Sequence, residues 1–241
     1  METSDLRRHL DAEYARFRAL IPAGTDLTTV RVPSCPEWSL DDLVQHLGEV
    51  YLHKVDCIRL NARPTEEPDL TGLTSVQVLE RGFAELSTIF DEHSPKDPAW
   101  TWFAPDQTVG FWIRRMAHET AVHRFDAELA VHSPTEIGTE LAEDGLDEVL
   151  ATMLVADIEP WEYEIGRPDI EVRAPGRSWF VHFEKEALRV SDAGEAATVI
   201  LGDPSDLELW LYNRITGDHL TFTGDLVGMG VLKDLMTEAT K

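Results

Sequence analysis

The sequence predicts an α+β protein: an antiparallel four-helix bundle over residues 1–140, followed by a small α+β domain over residues 141–241. Three observations predict it. Four segments of the first half carry apolar residues at three- and four-residue spacing, the pattern of a helix with one buried face. After residue 168 the period shortens to two, the pattern of half-buried strands. The strands are grouped, with helices near their end, rather than alternating one by one with helices, which defines the α+β class.

The elements follow in order. Leu6, Leu10, Tyr14, Phe17 and Ile21 mark the first helix. The stretch from Val32 to Trp38 holds two prolines and reads as a loop, with Trp38 as its packing anchor. Ser39 stands at the N-cap of a second helix, and Asp42, three residues on, completes a capping-box pattern. That helix is expected to bury Leu40, Leu43, Val44, Leu47, Val50, Tyr51 and Ile58. A loop rich in Pro and Glu covers 61–72. Val76, Leu79, Phe83, Leu86 and Phe90 mark a third helix. A turn-rich stretch with Pro95, Pro98 and Pro105 leads to a fourth, from Val109 to Val131. Amphipathic helices in this succession make an up-down bundle.

In the second half a helix around Leu141–Ile158 runs into Gly166-Arg167-Pro168. Strands are expected at Ile170–Ala174, Trp179–Phe183, Leu188–Val190 and Thr198–Leu201. A helix after Asp203 is expected to carry Leu207, Trp210, Leu211 and Arg214. A strand around Leu220–Thr223 and a closing helix from Asp225 complete the chain.

Charge narrows the function classes. Lys and Arg total 21 against 45 Asp and Glu, a net charge of −24. Such a chain repels phosphate backbones and anionic membranes, so nucleic acid and membrane are excluded as expected partners. The plainest consequence of the charge is solubility. Two cysteines, Cys35 and Cys57, are too few for a disulfide framework and suit a reducing compartment. Both are read as small hydrophobes. No signal pattern opens the chain, and no apolar run approaches the ~20 residues of a membrane span. A cytoplasmic monomer is the expectation.

The fourth helix carries the chemistry. Its inward stripe runs Val109, Trp112, Ile113, Met116, then Glu119 and His123, and on to Ala127 and Ala130. A carboxylate on an apolar stripe is costly unless something satisfies it. Glu119 and His123 are four apart and reach one point beside the helix. His46, at the edge of the second helix's stripe, is the third ligand that helix packing could bring to them. Two His and one carboxylate with an open position is the catalytic rather than the structural zinc arrangement. The bland alternatives are a hydrogen-bonded core histidine and an ordinary helix pair. His118 and His123 are five apart, roughly 140° around the helix, which excludes the zinc-protease motif. Asp126 could hydrogen-bond the His123 ring and Arg115 could pair with Glu119, or each could make an ordinary salt bridge.

Two segments bear a resemblance. Val32 to Gly48, VPSCPEWSLDDLVQHLG, resembles the first ligand segment of DinB-like metal-binding bundles. Arg115 to Glu128, RMAHETAVHRFDAE, resembles the second, in the mycothiol-dependent maleylpyruvate isomerase branch. The resemblance covers nearly the whole chain and implies that His46, Glu119 and His123 bind zinc or another divalent metal. It also implies a sterol-carrier-protein-like second domain. Leu209 to Arg214, LWLYNR, is similar to that domain's Arg-bearing helix, although Tyr212-Asn213 stands where Trp-Gly is common. Arg214 is then expected to hold a substrate carboxylate, the alternative being a plain surface arginine.

The function so implied is a zinc-dependent thiol transferase or isomerase. It would activate a low-molecular-weight, mycothiol-like thiol for attack on a small electrophile. Two other classes compete. One is a binding protein with a structural metal, which would normally close its site with a fourth protein ligand. The other is a zinc hydrolase, which needs only the same three ligands. Saturable thiol binding at the metal separates the first class from both.

Overall fold

The computed structural model describes residues 1–21 and 24–240. The chain divides into two compact units, Met1–Thr135 and Glu136–Lys241, and is helical first and sheet-containing second, the α+β order. No helix among the described residues is long and apolar enough to cross a membrane.

The first unit contains α1 (Thr3–Ala19), α2 (Leu40–Leu60), α3 (Ser75–Glu92) and α4 (Val109–Ala130). Helix α2 packs on α3 and α4, and α1 packs on α4. The α2–α3 contact is close because glycine stands at the crossing. A Cβ on Gly48 would meet the Leu79 backbone nitrogen at 2.6 Å, and one on Gly82 the Gly48 carbonyl oxygen at 2.5 Å. Helix α4 is buried on every side and not only along its apolar stripe: Arg115, His118, Arg124, Asp126 and Glu128 are buried as well. Its C-terminus closes at His132 (φ 59), whose N–H donates to the Leu129 carbonyl while Ser133 N–H reaches that of Glu128. That paired pattern is a Schellman motif.

The start of α2 follows its sequence signature. Ser39 Oγ accepts from the Asp42 N–H at 3.2 Å, and the Asp42 carboxylate accepts from the Ser39 N–H at 2.8 Å. Replacing Ser39 by alanine removes one half of this box, so Ser39→Ala is expected to lower stability by ~1 kcal/mol. An unchanged denaturation midpoint would show that the cap contributes nothing.

The segment before the cap is not the plain loop expected from its prolines. Arg31–Val32 (β1) and Cys35–Ser39 (β2) form a small antiparallel hairpin. Pro33 and Pro36 are exposed, and the short, irregular ladder tolerates their missing N–H groups.

In the second unit, α5 (Thr139–Glu148) passes into a π-helical stretch, Val149–Leu154, and then α6 (Val155–Asp157). The continuous α-helix expected over 141–158 is therefore interrupted by a wider turn. Apolar periodicity does not register one inserted residue. Strands β3 (Asp169–Ala174), β4 (Arg177–Phe183), β5 (Leu188–Ser191), β6 (Ala196–Leu201) and β7 (Thr221–Gly224) form one sheet in the order β5-β4-β3-β6-β7. Only β3 and β6 pair in parallel. Ile170, Val172, Trp179, Val181, Phe183 and Ile200 alternate into the core. Helices α7 (Pro204–Leu211) and α8 (Leu226–Ala239) pack on β3, and α8 also on β6 and β7. On the other face Glu171 binds Arg173 and Ser178, and His182 donates from Nδ1 to Asp169 across the β3–β4 pair at 2.7 Å.

Arg214 does not lie on α7, as its spacing suggested. The helix ends at Leu211, and Asn213 takes a left-handed conformation (φ 61). Arg214 N–H donates to the Leu209 carbonyl and Asn213 N–H to that of Trp210, again a Schellman closure. Asparagine is the residue after glycine that best tolerates this conformation, which explains how Asn213 serves where glycine is common.

Candidate metal centre

Helices α2 and α4 bring His46, Glu119 and His123 together, with one ligand atom from each lying within 4.8 Å of the others. Glu119 Oε1 is 3.5 Å from His46 Nε2 and 3.2 Å from His123 Nε2. Ligands about 2.0–2.1 Å from a tetrahedral ion sit ~3.3–3.4 Å apart, so both contacts suit a shared cation. The two rings stand nearly perpendicular, with centroids 5.1 Å apart. Among the described residues no fourth His, Cys, Asp or Glu joins the cluster.

Each member of the cluster is held by another residue. Asp126 Oδ2 accepts from His123 Nδ1 at 2.9 Å, which leaves Nε2 turned to the cluster. Ser34, on the hairpin, donates to the other Asp126 oxygen at 2.5 Å. Arg115 pairs with Glu119 Oε2, so Oε1 is the oxygen that faces both imidazoles. Trp38 packs its ring 4.8 Å from that of His46 and 6.5 Å from that of His123. The packing of Trp38, expected to anchor the segment before α2, is thus against the histidines of the cluster. Ser34 and Trp38 are the contributions that the sequence did not announce. The signal available was their place in the segment directly before the α2 cap.

The electrostatics follow from these contacts. Burial alone would raise the Glu119 carboxyl, but Arg115, His123 and His46 hold it well below the usual carboxylate range. Burial would lower His123, yet Glu119 and Asp126 raise it to about 9. Each group thus favours the charged form of the other, and a cation held there would compete with the imidazole's proton. His46 side-chain exposure is 34 %, against 8 % for His123, so the cluster opens on the His46 side.

Arg214 lies in the second unit. It is part-buried, and its Nη1 donates to the Tyr212 carbonyl at 2.7 Å. Cys57 is buried, and that burial pushes its thiol up to about 11 against the pull of Lys54. It is a protonated small hydrophobe at neutral pH, as expected.

Fold and cluster define an α+β protein with two histidines and a carboxylate gathered on two packed helices. The chain belongs to the mycothiol maleylpyruvate isomerase N-terminal domain family, whose model matches residues 7–128. Among solved structures, the mycothiol-dependent maleylpyruvate isomerase is similar at 10% identity and a TM-score of 0.62, over 93% of this chain and 95% of that one. A histidine-to-alanine mutant of that isomerase is similar at 10% identity and a TM-score of 0.63, over the same shares. At this identity the likeness is one of fold. No curated protein matches the chain.

Proposed function

We propose that the chain is a metal-dependent enzyme that uses a mycothiol-like thiol to isomerise, or to form a conjugate with, a small electrophile. His46, Glu119 and His123 are its metal ligands, on a DinB-like four-helix bundle. The observation that supports this best is the three-residue donor set with no fourth protein ligand among the described residues. Such a set leaves a coordination position free.

When bound, zinc or a similar divalent ion supplies a Lewis-acid position that keeps a thiol deprotonated at neutral pH. The chain's own groups prepare that position. Asp126, itself held by Ser34, fixes the His123 ring so that Nε2 is the donor. Arg115 occupies one Glu119 oxygen and leaves the other to the ion. Trp38 packs its ring against that of His46. Cys57 stays protonated, so the nucleophilic sulfur comes from the cosubstrate. That sulfur bonds to one carbon of an activated double bond. The π pair moves onto the conjugated carbonyl as that bond forms. Rotation about the resulting carbon–carbon single bond, return of the pair and cleavage of the carbon–sulfur bond give the isomer and release the thiol, with no net oxidation. Arg214 orients the anionic electrophile through its guanidinium.

The test is thiol addition to the cobalt-substituted protein. A saturable thiolate-to-cobalt absorption band is expected, and Arg214→Ala should leave it unchanged while lowering turnover. A cobalt spectrum indifferent to thiol would remove the thiol reading and favour a hydrolytic or structural metal.

A further inference from the structure

Beside the cluster, on its open side, lies a cavity of about 420 Å³ within the first unit. One wall is the outer stripe of α2, in which His46, Glu49, Val50, His53 and Lys54 follow at helical spacing. The other is the stretch 63–68 of the Pro- and Glu-rich loop, including Arg63. Val50, expected in the core, is only part-buried because it faces this space.

Several cations on the helices of this unit are paired with acids, as Arg18 with Glu80, and Arg59 and Arg81 with Glu85. Among the described residues no carboxylate lies within 4.0 Å of the Lys54 or Arg63 charge, although the chain holds 45 Asp and Glu and four of them line this cavity. Lys54 is nonetheless held in place. Its Nζ donates to His53 Nδ1 at 3.1 Å and stands 5.0 Å from the centre of the Trp112 ring. Trp112 is fully buried and anchored by its own N–H to the Trp100 carbonyl at 2.8 Å. Burial, with Lys54 and Arg63 nearby, lowers His53 to about 4, so it is a neutral acceptor for Lys54. An ammonium has three N–H donors, and His53 uses one. Lys54 thus feels the charge of Glu119 in the cluster but has no carboxylate within 4.0 Å, so a fixed, part-buried cation with spare donors beside Arg63 can take an anion.

We propose that this cavity binds a carboxylate of the electrophile other than the group assigned to Arg214, with Lys54 as the principal contact and Arg63 as a second cation from the loop. It deepens the function proposed above. Lys54 is eight residues after His46, a rise of ~12 Å along the helix. Its side chain leans back toward the helix N-terminus and shortens that span. A small dicarboxylate of about four to six carbons fits between the ammonium and the cluster. Selection would thus favour short anionic substrates over neutral ones.

The test uses succinate, a four-carbon dicarboxylate with no electrophilic carbon, titrated calorimetrically into the full chain freed of metal. Saturable binding is expected, weakened at least tenfold by Lys54→Met and substantially restored by Lys54→Arg. Succinamide, its neutral counterpart, should not bind, and Lys54→Met should retain as much zinc as the parent. No succinate binding, equal binding by Lys54→Met, or equal binding of succinamide would each overturn the proposal. So would loss of zinc from Lys54→Met, which would mark a structural role. Because the titration is made without metal, a failure of the metal reading leaves its outcome unchanged.

Discussion

Alanine at His123 is expected to abolish metal retention. The parent chain should keep about one equivalent of zinc through dialysis, and His123→Ala close to none. Removing a residue that only orients a ligand typically costs 10–100-fold in metal affinity, and removing the ligand itself costs more. The structure supplies the graded comparison. Asp126 accepts from His123 Nδ1 and is fully buried, so Asp126→Asn should give the intermediate loss. Metal analysis after dialysis against a weak chelator reads both. An unchanged zinc content in His123→Ala would remove the ligand assignment and leave the cluster as a buried ion pair between Glu119 and a charged histidine. Equal losses in the two variants would instead point to general disruption of α4.

The second large effect is on stability. Arg124 is fully buried in the first unit. Its Nε donates to Glu13 on α1 at 2.6 Å, and its Nη1 to Glu128 at 2.7 Å and to the Thr135 carbonyl at 2.7 Å. Glu128 in turn accepts from the Thr135 N–H at 2.8 Å. One guanidinium thus ties α1, α4 and the chain leaving α4. Removing one partner of a buried charge network leaves the others uncompensated, and Arg124→Ala is expected to cost ~3–5 kcal/mol. Denaturant unfolding followed by the fluorescence of Trp112, in the same unit, would measure it. A loss within ~0.5 kcal/mol, the range of ordinary surface substitutions, would show that water or neighbouring groups replace the guanidinium.

Arg124 also shows where pattern reading stops. It lies one residue past His123 and off the apolar stripe that pointed to Glu119 and His123. A charged residue off the stripe reads as solvated. Only the packing of α1 on that face turns it into a buried tie. Lys54 is a parallel case: on α2 it is an ordinary charged position, and its place beside the cavity, with no carboxylate within 4.0 Å, exists only in three dimensions.

What the sequence determined by itself is local. The Ser39–Asp42 cap, the four helical segments and the strand alternation from Ile170 to Ile200 depend on neighbours a few residues away, so spacing alone exposes them. The i,i+4 relation of Glu119 and His123 is of the same kind. The meeting of His46 with that pair spans 73 residues and needed helix packing, which the spacing could suggest but not impose. The tertiary structure alone decided the hairpin that carries Ser34 and Trp38 to the histidines, the π-helical turn at Val149–Leu154, and the exit of Arg214 from α7. Each depends on contacts or on an irregular backbone that hydrophobic periodicity does not encode. A periodic pattern reports which face of a regular element is buried, and not what is buried against it.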